Sequence, residues 1–115
     1  MSRDWRWFLA DMLEAAERAR AHLGDLDMEG FAQDRKTQAA VERELAILGE
    51  AAKQIPADFR VANPTLHWRE MAGLRDILNH AYFQVDARVL WRLVREDLGS
   101  DIETLRNLVP VAEDP

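Results

Sequence analysis

The chain has 115 residues, 48% of them apolar and 31% charged, a net charge of −6 and no cysteine. That length matches one domain, and the mixture of apolar and charged residues supports a packed core and excludes a disordered or fibrous chain. Lack of cysteine excludes disulfides, a thiolate nucleophile and cysteine metal sites.

A single domain over residues 1–115 is therefore expected. The first twenty residues carry seven ionisable side chains before Arg20, against a secretory leader. The apolar runs are only a few residues long, too short to span a bilayer. A soluble, cytoplasmic protein without membrane association is the expectation.

Taken in order, the elements are all helical. Trp5, Phe8, Leu9, Met12, Leu13, Ala16 and Leu23 recur on one face of a helix near 4–23, with Asp4 as its cap. Gly24 and Asp25 interrupt, and Asp27 caps a short turn through Phe31. Val41, Leu45, Leu48, Ala52 and Ile55, spaced 4, 3, 4, 3, mark a second long helix over 34–55. Pro56 ends it. Residues 57–66 read as a loop with one helical turn. A third helix near 66–82 buries Trp68, Met71, Leu74, Leu78 and Ala81. Asp86 caps a fourth over 86–98 with Val89, Leu90, Leu93 and Val94 inward, stopped by Gly99. Ser100 and Glu103 form a capping box for a last helix over 101–109, closed by Pro110. The fold class is thus an all-α, up-and-down helical bundle of four long helices plus short ones.

Charge is unevenly spread. Residues 69–95 hold five arginines (69, 75, 88, 92 and 95) against Glu70, Asp76 and Asp86, a net +2 within an acidic chain. Thirteen of the fifteen basic residues are arginine, whose planar fork suits phosphate. An acidic chain is an unusual nucleic-acid binder, so this local excess matters more than the sum.

Of the three histidines, His22 falls at the end of the first helix, where a cation favours the helix dipole, and reads as a structural cap. His67 reads as a surface turn residue beside Trp68. No histidine pair has the spacing of a helical metal site, so neither metal nor cofactor is expected. His80 lies in Leu74–Phe83, together with Arg75, Asp76, Asn79 and the chain's one tyrosine, Tyr82. At ~100° per residue, Asp76 and His80 share a helix face, so the carboxylate can orient the imidazole and raise its pKa. Arg75, Asn79 and Tyr82 share the neighbouring face. Two readings stand side by side: a solvated polar face with a satisfied histidine, or a cluster lining a cleft.

Arg75, four residues, His80, one residue, Tyr82 resembles the R-x4-H-x-Y motif of HepT-type toxins in the HEPN superfamily. Thr37–Arg43 followed by Leu48-Gly49-Glu50-Ala51 is similar to that family's TQxAVxR…IGEA segment. Trp68–Arg75 resembles its WRxxxGLR lead, and Tyr82–Asp86 its YFxVD exit. The likeness runs from about Asp4 to Leu108. Leu48 stands where isoleucine is usual, a volume-conserving swap. His67 stands where proline is frequent, which implies a looser turn there.

The resemblance implies a HEPN-like fold and a metal-independent ribonuclease, without DNA as substrate. It further implies the toxin of a toxin–antitoxin pair, silenced when an MNT-type nucleotidyltransferase antitoxin transfers AMP to Tyr82. By position, Arg75 and His80 become catalytic, with Asp76 and Asn79 supporting. The residue types suit that chemistry: histidine trades protons near neutral pH, and arginine holds the charge building on a phosphorane. An adduct on Tyr82 would set negative charge beside both. Without it, a lone tyrosine at a helix end is a packing residue with a wet hydroxyl. Arg75 and His80 lie roughly 140° apart on a regular helix, so a symmetric homodimer with its active site at the interface is expected to pool two copies of the motif. The alternative is a non-catalytic helical dimer that binds a nucleotide or regulates its nucleotidyltransferase partner.

Overall fold

The 4–3–4–3 stripe is the axis of the molecule. In a computed structural model of the chain, Val41, Leu45, Leu48 and Ala52 are fully buried and Ile55 nearly so. The structure describes residues 4–80 and 86–109, with the backbone alone for residues 75–77, 79 and 80. The helices are α1 (Arg6–Leu23), α2 (Met28–Gln33), α3 (Arg35–Ala52), α4 (Ala57–Ala62), α5 (Trp68–His80), α6 (Ala87–Arg92) and α7 (Leu98–Leu108), and no strand occurs among the described residues. Helix α3 packs between α1 and α5, and α1 packs on its other side against α7.

Local chemistry sets the starts. Asp27 accepts the Gly30 amide at 2.7 Å and Asp34 the Thr37 amide at 3.0 Å, each satisfying an orphan donor of the first turn. Asp86 does the same for Arg88 at 2.9 Å. Asp4 accepts the Arg6 amide at 3.0 Å, although the cap position of α1 is Trp5. Gly24 ends α1 at φ 55°, a left-handed φ that glycine adopts without steric cost. The Gln38 amide donates to the Phe31 and Ala32 carbonyls at 2.8 and 3.1 Å, tying the end of α2 to the start of α3. The Thr37-Gln38 pair is therefore a structural joint.

Four expectations are corrected. First, α3 stops at Ala52; Gln54 and Ile55 follow in tighter turns bonded to Ala51 and Ala52 at 3.0 and 3.3 Å. Second, residues 57–62 form a complete short helix behind Pro56 rather than a single turn in a loop. Third, Gly99 stops nothing: α6 runs through a π-helical turn (Leu93–Asp97) straight into α7, so the two C-terminal helices are one rod. Ser100 therefore caps no helix. Fourth, Val89 is 60% exposed.

The third and fourth corrections share a cause. The inward residues of the rod are Leu90, Val94, Leu98 and Ile102, all buried and spaced by four. In a regular α-helix each step of four rotates the stripe by ~40°. The wider π turn absorbs that drift and keeps all four on the core. Its register turns Val89 to solvent.

Two long-range ties hold the rod. The Trp91 indole N–H donates to the Leu26 carbonyl at 2.9 Å. Arg95 donates to the carbonyls of Gly24 and Leu26 while its guanidinium stacks on Trp91 at 5.7 Å. Among the described residues, no helix is long and apolar enough to cross a membrane.

Candidate active site

Helix α5 carries the motif, and its inward side is defined by Met71, Leu74 and Leu78, which pack on the core. Its helical partner is α3. From that register, position 80 falls roughly 150° from the inward side, nearly opposite it, and position 75 on the flank. Arg75, Asp76, Asn79 and His80 all belong to the helix, so Asp76 and His80 occupy i, i+4 positions as expected. Tyr82 lies outside the described residues.

The start of α5 is fastened at three points. The Trp68 indole N–H donates to the Asn63 carbonyl at 2.8 Å, and the Asn63 side chain in turn donates to the Phe59 carbonyl at 2.9 Å. Trp5, Phe59 and Trp68 form an aromatic chain with ring centroids 4.8 and 6.4 Å apart. The third point is His67, whose Nδ1 lies 2.9 and 3.1 Å from the two carboxylate oxygens of Asp101 on α7. Asp101 is 2% exposed.

His67 is thus no free turn residue. Where a looser turn was expected, its hydrogen bond to Asp101 crosslinks α5 to α7. That bond, then the Asp101 charge and the more distant Glu70 and Asp97, holds the imidazole pKa above its ordinary value, against a smaller effect of burial. His22 lies 3.6 Å from the buried Glu44 carboxylate of α3, so it faces a neighbouring helix as well as ending its own. Elsewhere, burial raises the Glu42 carboxyl on α3.

The arginines of 69–95 divide in the same way. Arg95 is spent on loop carbonyls, and Arg88 pairs with Asp86 at 3.4 Å. Arg69 and Arg92 remain exposed. Arg60, which the charge count did not single out, joins Arg69 on a groove of about 600 Å³ between α4 and α5. Among the described residues, no group of three His, Asp or Glu is arranged to hold a metal ion.

The described residues are all-helical or connecting turns, and Arg75 and His80 stand on one helix that is anchored at its start. The family model described as "Ribonuclease HepT-like" matches residues 12–109, and the chain belongs to that family. It is 49% identical over 100 residues to a Thermococcus cleftensis protein named "Probable ribonuclease HepT", covering 87% of this chain and 91% of that one. A Methanocaldococcus jannaschii protein provisionally named RNase MJ1380 is 43% identical over 96 residues, covering 84% and 88% respectively. A relative from Caldanaerobacter subterraneus, provisionally named RNase TTE0752, is 33% identical over 93 residues, covering 81% and 83%. No match was found among solved structures.

Proposed function

We propose that this chain is a metal-independent endoribonuclease and the toxin of a toxin–antitoxin pair. The observation that carries the reading is the Arg75…His80 motif on α5, in a chain whose membership of the HepT-like ribonuclease family spans residues 12–109. The names of the relatives point to the same activity.

In the proposed reaction the substrate's 2′-oxygen attacks the adjacent phosphorus, and the bond from phosphorus to the 5′-oxygen breaks. His80 takes the 2′-hydroxyl proton or returns one to the leaving 5′-oxygen, and Arg75 holds the charge on the phosphorane. Asp76 orients the imidazole one turn away, and Asn79 binds a phosphate or ribose oxygen. The products are a 2′,3′-cyclic phosphate and a 5′-hydroxyl.

The angle of ~140° between positions 75 and 80 supports a homodimer in which two motifs share one cleft. By helical register, position 80 falls roughly 150° from the inward side of α5, which supports that arrangement. Silencing follows when the phenol oxygen of Tyr82 attacks the α-phosphorus of ATP on an MNT-type nucleotidyltransferase and pyrophosphate leaves. The adduct's charge then occupies the cations and repels RNA.

The test is incubation of the purified protein and its His80→Ala variant with total RNA in EDTA, followed by analysis of fragment ends. Cyclic-phosphate ends from the native protein alone are expected. No cleavage by native protein whose intact mass shows Tyr82 unmodified would overturn the reading in favour of a non-catalytic dimer.

A further inference from the structure

Beside α5 lies a groove of about 600 Å³ that the motif does not account for. Leu66 and Trp68 are its buried floor, the exposed Val61 is part of its rim, and Arg60, Arg69 and Glu70 supply its charge. Among the described residues, Arg60 Nε is covered and has no hydrogen-bond partner. A covered guanidinium N–H without a partner carries the desolvation cost of that group, which a bound acceptor would offset. Among the described residues, no carboxylate engages Arg60 or Arg69, whereas Arg6, Arg18, Arg88 and Arg106 are all paired.

The groove lies along the first turns of the helix that carries the motif. Arg69 and Ala72 line it, and by helical register positions 68, 72, 75 and 79 form one ridge of α5, while 69, 73, 76 and 80 form the next. Arg69 stands ~9 Å along the axis from position 75 and ~16 Å from position 80, a span an RNA strand covers in a few nucleotides. Turned into the groove, the Arg60 guanidinium would offer Nε–H and an Nη–H together, the bidentate fork that fits a phosphate.

We propose that Arg60 and Arg69 form a phosphate-binding subsite that holds single-stranded RNA alongside the scissile bond. The proposal rests on the ribonuclease reading for its ligand and adds residues outside the motif. It gives an acidic protein a local cationic track. Glu70, in the same groove, discourages a second phosphate beside Arg69 and so sets the path of the strand.

The experiment is fluorescence anisotropy with a labelled single-stranded 2′-O-methyl RNA 12-mer, which cannot be cut through its 2′-oxygen. Native protein is compared with Arg69→Gln, Arg60→Gln and the control Arg18→Gln on α1. Arg69 and Arg60 variants are each expected to bind about tenfold more weakly, with the slope of log affinity against log salt reduced by about 0.7 per lost contact. Arg18→Gln is expected to match native. Arg69 is exposed, so its variant tests the subsite even if Arg60→Gln fails to fold. Unchanged affinity and slope for Arg69→Gln, or no binding of the probe by native protein, would overturn the subsite. Loss of a co-purifying protein partner by variants that bind RNA normally would also overturn it, in favour of a protein-docking groove. Arginine-dependent binding by a native protein that cleaves no RNA would leave the subsite standing and remove the ribonuclease reading. Cleavage that ignores both arginines would do the reverse.

Discussion

His67 and Asp101 are 34 residues apart in the chain, yet the imidazole Nδ1 sits 2.9 Å from the Asp101 carboxylate. The contact joins the first residue before α5 to the first turn of α7. The motif helix is thereby tied to α7 as well as packed on α3.

This pair gives a pH-dependent stability with a definite sign. The folded-state pKa of His67 is raised, so its contribution is complete below the ordinary imidazole value and is lost as pH rises through the folded value. The His67 side chain is half exposed, which lowers its worth; removing the pair should cost about 1–2 kcal/mol. Urea melts of native and His67→Gln protein at pH 5.5 and pH 9 check this. The native advantage should be present at the lower pH and shrink at the higher. An equal gap at both would mean that packing, not charge, sets the contact.

Arg95 should behave as a structural residue. Arg95→Ala uncovers the Gly24 and Leu26 carbonyls and leaves the Trp91 face open, a loss of about 1–3 kcal/mol. Its effect on the salt dependence of RNA binding should be nil. Thermal melts and the anisotropy titration together separate it from Arg69, whose variant should show the converse.

Gly24 and Gly99 should respond oppositely to alanine. Gly24 holds φ 55°, so Gly24→Ala strains the turn and destabilises by about 1 kcal/mol. Gly99 lies inside the rod, and an added Cβ would meet only the movable end of Arg20 at 3.3 Å. Gly99→Ala should therefore stabilise by up to about 1 kcal/mol. Destabilisation by Gly99→Ala in a chemical melt would contradict a continuous rod.

Tyr82→Phe removes the proposed AMP acceptor without altering Arg75 or His80. Cells carrying this variant with an MNT-type nucleotidyltransferase should stay growth-arrested, whereas cells with the native pair grow. A mass increase by AMP on the variant, or growth rescue, would show that the acceptor lies elsewhere.

The parts of the fold that were legible in the amino-acid order depend on neighbours a few residues apart. The stripe from Val41 to Ile55, the caps at Asp27 and Asp86, and the inward row of α5 follow from helical period and from short side chains bonding nearby amides. The candidate site, Arg75, Asp76, Asn79, His80 and Tyr82, is a reading of the same local kind, since it is contained within eight residues.

Tertiary structure decided everything that depends on distant partners. Nothing near His67 signals Asp101, and nothing near Arg95 signals carbonyls 69 and 71 residues earlier in the chain. The π turn follows from packing a four-residue repeat on a core, whereas a regular helical period turns Val89 inward and glycine taken as a helix stop ends the helix at Gly99. Arg60 and Arg69 are nine positions apart and line one groove because α4 and the start of α5 both border it. Local periodicity identifies which face of a helix is buried, while the partners of its ends and its charges come from the three-dimensional packing of the helices.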